Sequence, residues 1–219
     1  MLSTRAVLLA GVLLAAAAAS PPPLYKDAAA PIPARVADLL KRMTTTEKVA
    51  QTLELWGGPG IFEQLLKVYN SSGVGAVMIG GGAPNATCQN DPACRIRVQN
   101  ALQKEMVEGT RLGIPITFTQ ETMTSGAHNG TAFPHPVSQG SSWNMSLVHD
   151  IARAVGSDAF YAGVDRGYSP VLQVVTDPRY GRWHENFGGP SPPAAQASIR
   201  DRSVFQLTRY VPTNARRRR

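Results

Sequence analysis

Asp177-Pro178-Arg179-Tyr180-Gly181-Arg182-Trp183-His184-Glu185-Asn186-Phe187-Gly188-Gly189 gathers two arginines, an aspartate, a histidine and a glutamate among glycines and aromatics. It follows directly on the apolar run Val171-Leu172-Gln173-Val174-Val175. A β-prone run that stops at Thr-Asp-Pro predicts a strand end followed by a loop. In a barrel of alternating strands and helices, the loops after strands are where sites are built. A salt-bridged structural loop is the plainer reading of an Arg/Asp cluster, so the rest of the chain has to decide.

Upstream, Ser146 to Gly163 carries Leu147, Ile151, Val155 and Ala159 along one helical side. Before it, a long loop runs through Gly126, Asn129-Gly130 and Pro134. The stretch Gly113 to Glu121 reads as a turn plus a strand over Ile114 to Gln120, with Glu121 at its end. Arg95 to Glu108 has helical spacing, with Ile96, Val98, Leu102 and Met106 as candidate buried positions. Gly73 to Gly82 reads as a short buried strand with a glycine-rich end; no GK[ST] follows, so a close-packed loop is preferred to a phosphate cradle. Near the start, Val36, Leu39, Leu40 and Met43 fall at helical spacing. Thr44-Thr45-Thr46-Glu47 reads as a capping box opening a second helix, with Val49 and Leu53 facing inward. Strand, helix, strand, helix, strand is the alternation that makes parallel sheets.

Four segments carry a resemblance to glycoside hydrolase family 3, the exo-acting β-glucosidases and β-xylosidases. The opening stretch resembles that family's DPRWGR-x-EE-x-FGED signature. Three further runs match in order: the RV-x-DLL-x-RMT helix pair, GIP-x-x-x-x-QE at Gly113 to Glu121, and TAFPHPVSQGSSWN at Thr131 to Asn144. The resemblance covers Arg35 to Gly188 and implies an α/β fold: a partial (β/α)8 TIM barrel, about its first half. With the leader read from residues 1–20, the chain divides into a signal peptide (1–20), a linker (21–34), the partial barrel that the resemblance implies (35–189) and a non-family Arg/Pro-rich tail (190–219).

Cleaving a glycosidic bond takes two carboxyl groups, plus groups that hold sugar hydroxyls and tighten in the transition state. A carboxylate accepts charge-assisted bonds from hydroxyls, and an arginine offers a planar fork of donors. By resemblance Glu121 and Arg182 hold the nonreducing-end glucosyl or xylosyl unit, and Arg179 joins them as a substrate-binding candidate. Asp177, Glu185 and Arg179 are also suited to bracing the loop through ion pairs. Two positions depart from the family: His184 stands where a glutamate is usual, and Thr124 lies near the place of a histidine. Trp143 is assigned to the core.

After Gly189 the family pattern stops. Pro190-Ser191-Pro192-Pro193 follows, no Lys-His pair occurs, and Asp201 is the one carboxylate beyond Glu185. The nucleophile and the acid/base are therefore expected to be absent from this chain, which is expected not to turn over substrate as written. A noncatalytic sugar-binding fragment is the alternative. No cofactor is expected, and no metal, since His and Cys show no ligand spacing.

Arg5 precedes an apolar run to Ala19 that closes on small residues before Pro21, which reads as a signal peptide and a secretory destination. No segment of the mature chain is expected to span a membrane. Sequons at Asn70, Asn85, Asn129 and Asn144 agree with that route, and Cys88 and Cys94 are placed to close a small disulfide loop. The net charge of +7 suggests nucleic acid, but seven arginines against Asp201 in the last thirty residues carry nearly all of it. Nucleic acid is thus not an expected partner, and polyanion binding by the tail is a weaker alternative. The expected partner is carbohydrate; nothing in the sequence sets the oligomeric state.

Overall fold

The computed structural model describes residues 22–57, 61–69, 71–79, 91–126 and 130–189. The leader, the tail, Cys88 and the sequons at Asn70, Asn85 and Asn129 lie outside the described residues. Two compact units meet in sequence at Met43 and Thr44.

The first unit is a 3-10 turn, Leu24–Lys26, followed by helix α1, Ile32–Arg42. Pro33 sits in the first helical turn, where its missing N–H costs nothing. Asp38 joins the two pieces, accepting from the Tyr25 backbone N–H (3.1 Å) and from Arg42 Nε, while Arg35 Nε donates to the Tyr25 carbonyl. Val36 and Leu40, at helical spacing, are about half exposed.

The second unit begins with helix α2, Thr45–Gln51, and its capping box is present in both directions. The Thr44 hydroxyl accepts from the Glu47 N–H (3.2 Å), and the Glu47 carboxylate accepts from the Thr44 N–H (2.8 Å). The expected inner face of this helix is not the buried one. Val49 and Leu53 are exposed, whereas Glu47 and Ala50 are buried. Arg111 is the reason: its guanidinium grips Glu47 at 2.9 and 2.6 Å and turns that side of the helix inward.

Four strands follow, β1 (Glu54–Trp56), β2 (Ala76–Met78), β3 (Thr117–Gln120) and β4 (Arg166–Gly167), all parallel and side by side in chain order. Between them run α3 (Ile61–Tyr69), α4 (Pro92–Lys104), α5 (Pro136–Ser141) and α6 (Met145–Tyr161). This is a partial β/α barrel. A single π turn, Glu105–Gly109, extends α4 and brings Met106 into the core. Asp91 caps α4 through the Cys94 N–H, and Cys94 is disulfide-bonded. Asn144 caps α6 through the Leu147 N–H.

The core lies between the sheet and its helices: Ile61, Leu65, Val74, Val77, Ile79, Leu102, Met106, Ile116 and Phe118. Burying each large aliphatic or aromatic side chain there contributes about 1.5–3 kcal/mol. The other face of the sheet is polar. Glu54 of β1 accepts hydrogen bonds from Thr119 of β3 and from the Tyr168 hydroxyl, and pairs with Arg166 of β4 at 3.2 Å. Burial pushes the Glu54 carboxyl up, but those bonds and the Arg166 charge outweigh it and hold the group below its ordinary range.

Two expectations need correction. The run Val171 to Val175 forms no strand: Val171 makes an isolated bridge to Asn186, and Leu172 and Val174 are exposed. The fourth strand lies upstream instead, where Arg166-Gly167 pairs with Thr119-Gln120. Trp143 is not core; it is 65 % exposed, with a left-handed φ of 53° in the turn between α5 and α6.

Candidate functional site

Parallel strands deliver their C-terminal ends to one rim, and Glu121 is the residue after β3. Side chains alternate across a strand, so Phe118 and Gln120 face the helices while Thr119 and Glu121 face the polar side. The Glu121 carboxylate is half-buried and held in place. Its Oε1 accepts from the Thr122 N–H (3.0 Å), the Met123 N–H (3.1 Å) and the Ser169 hydroxyl (3.3 Å). Among the described residues all these bonds fall on Oε1 and none on Oε2.

The signature loop forms the neighbouring wall. It folds as a 3-10 turn, Trp183–Glu185, with Arg182 just before it. Arg182 forks onto Glu185, Nε to Oε1 at 2.8 Å and a terminal nitrogen to Oε2 at 2.6 Å. Glu185 is largely buried and Arg182 is two-thirds exposed, so the pair presents its cation outward. The hydrogen bonds to Glu185 raise the Arg182 pKa above its ordinary value, and the Glu121 carboxylate adds to that field. Glu121 therefore lies within electrostatic reach of Arg182. The Arg179 side chain is almost wholly exposed and forks onto Asp177 in its own turn, at 2.6 and 3.0 Å.

Three residues that the sequence did not single out position this wall and Glu121. Asn186 is fully buried, bridges to Val171 and donates from Nδ2 to the Arg182 carbonyl at 3.1 Å. Gly140 of α5 lies against Phe187; a Cβ there would sit 2.0 Å from the Phe187 carbonyl oxygen. Ser169 is a third, reaching Glu121 from just after β4. A buried Asn inside a charged signature was a usable signal, because an uncharged amide suits burial with hydrogen bonds better than its ionic neighbours. Nothing in the sequence marked Ser169 or Gly140. His184, the departure from the family pattern, packs edge-to-face on His135, ring centroids 4.8 Å apart.

Among the described residues no group of three or more His, Cys, Asp or Glu is placed to hold a metal ion. No helix among them is long and apolar enough to cross a membrane.

Residues 44–198 match the model of the glycosyl hydrolase family 3 N-terminal domain. A putative β-xylosidase of Formosa agariphila is 34% identical over 169 residues, covering 75% of this chain and 22% of that protein. A periplasmic β-glucosidase of Salmonella typhimurium is 30% identical over 156 residues, covering 71% and 18%. Among solved structures, a β-glucosidase from Erythrobacter marinus superposes with a TM-score of 0.65 at 25% identity, covering 84% of this chain and 24% of that one. A β-glucosidase from Listeria innocua in complex with isofagomine gives 0.58 at 27%, covering 80% and 22%. The chain spans about a fifth to a quarter of the length of these relatives.

Proposed function

The chain belongs to glycoside hydrolase family 3, and from that premise we propose that it supplies the sugar-holding wall of an exo-acting, retaining β-glycosidase. The unit held is a nonreducing-end β-glucosyl or β-xylosyl residue. The observation that carries this is Glu121: a strand-end carboxylate fixed through Oε1 by two backbone amides and Ser169, with Oε2 left without such a bond and Arg182 close enough to feel its charge. A fixed acceptor beside a cation matches adjacent sugar hydroxyls, which both donate and accept. Relatives described as a β-xylosidase and a β-glucosidase support both sugars.

We assign no catalytic residue. Glu121 is held by amides and Glu185 by Arg182, so neither is poised to attack a sugar carbon or to protonate a leaving oxygen. The 219-residue chain then binds sugar without turning it over. The leader read in residues 1–20 supports delivery to the secretory pathway.

Titration calorimetry of the chain with glucose and xylose tests this. Saturable binding that falls at least about tenfold in Glu121→Ala, the loss of a charged hydrogen bond, is the expected result. Binding indifferent to Glu121→Ala, or hydrolysis of an aryl β-glucoside well above that of the variant, defeats it.

A further inference from the structure

On the other side of β3, facing the helices, lies a cleft of about 290 Å³ between α4 and α6. Ile79 and Ile96 form apolar walls, and Arg95, Gln99, Gln120 and Asp158 bring polar atoms to it. Alternation along β3 puts Gln120 and Glu121 on opposite faces of the sheet, so this cleft and the rim site are separate.

Arg95 is 9% exposed, and Gln99 and Gln120 are 6% exposed each. Arg95 donates to the Ile79 carbonyl at 2.8 Å. Among the described residues no carboxylate forms an ion pair with it, and burial alone pushes its pKa down. Neither glutamine carboxamide makes a side-chain hydrogen bond among the described residues. Buried polar groups are ordinarily bonded and buried charges ordinarily paired. Here three side chains that are nine-tenths buried line one cleft, and their polar atoms stay accessible from it rather than sealed in the core.

We propose that this cleft binds a small carboxylated polyol of the sugar-acid class, its carboxylate on Arg95 and its hydroxyls on Gln99, Gln120 and Asp158. The guanidinium without an acidic partner selects an anion over a neutral sugar. Asp158, whose Oδ2 accepts from the Thr131 N–H, adds an acceptor for hydroxyls and repels a second negative charge. The isoleucine walls favour a carbon skeleton over an inorganic oxyanion. The volume lies near the lower end of the ~300–1,000 Å³ common for ligand pockets, which suits one ring. Tyr161, 70% exposed, stands at the mouth.

The test uses the 219-residue chain, observed by NMR at the glutamine side-chain amides and Arg Nε. Sodium D-glucuronate is the probe and D-glucose the neutral control, at constant ionic strength. Saturable shifts with glucuronate, with affinity weakened about tenfold in Gln99→Leu and in Arg95→Gln and intact in Glu121→Ala, support the site. Glucuronate without a saturable shift of the Gln99 and Gln120 amides overturns it, as does an equal glucose response at those two amides or loss of the glucuronate response in Glu121→Ala. Should Arg95→Gln fail to fold by circular dichroism, Gln99→Leu decides, because it keeps the side-chain volume and removes only the carboxamide. Since Glu121→Ala acts on the rim alone, failure of one site is distinguishable from failure of the other.

Discussion

The Glu47 carboxylate and the Arg111 guanidinium, 64 residues apart in sequence, meet at 2.6 and 2.9 Å with Glu47 buried. The bond from Arg111 is the largest of the influences that lower the Glu47 carboxyl to about 2, helped by the Thr44 amide and hydroxyl against the opposing effect of burial. Removing the guanidinium strands a buried carboxylate. Arg111→Ala is expected to lose about 3 kcal/mol of unfolding free energy, read from the urea midpoint.

The same pair sets an acid dependence. A carboxyl depressed on folding stabilises the protein fully above its unfolded pKa of about 4.3, and that stability is lost as pH falls. The loss runs down to the folded value of about 2. Unfolding followed between these limits should show a slope attributable to Glu47, and the slope should flatten in Glu47→Gln. An unchanged slope in that variant would dissociate the pair from acid sensitivity.

Gly140→Ala should loosen the signature loop. The new methyl would lie 2.0 Å from the Phe187 carbonyl oxygen, a backbone atom with no rotamer to escape into. Overpacking of this kind costs about 1–3 kcal/mol. Trp183, in the adjoining turn, supplies a fluorescence readout; a melting temperature and emission equal to the parent would show that the contact is not required.

Arg182→Lys separates positioning from stability. The exposed guanidinium leaves little stability to lose, below about 1 kcal/mol. Lysine cannot fork onto Glu185 while facing a sugar, so glucose or xylose affinity should fall about tenfold. Arg179→Ala should alter affinity by less than about twofold, because that side chain is turned to solvent on Asp177.

Local chemistry was legible in the sequence, and contacts made across the fold were not. The capping box at Thr44 and Glu47 is written in four residues, and it formed as read. The strand leading to Glu121 was visible from its β-prone composition after Gly-Ile-Pro, and its core ends at Gln120. The parallel α/β character followed from alternation of elements. Arg111 was invisible as a partner because its carboxylate lies 64 positions away. Val171 to Val175 misled for a related reason: β propensity needs a neighbouring strand, and Val171 found only Asn186. The short β1 was overlooked beside longer patterns, and Trp143 was misplaced because an apolar ring does not reveal which side of a turn it occupies.

The strands lie side by side in the order in which the ribosome makes them. Each new strand therefore meets an edge that is already built, and no earlier gap has to be reopened to admit it. Such a sheet can grow vectorially during synthesis, with the polar interior closing last, once Arg166 and Tyr168 emerge to meet Glu54.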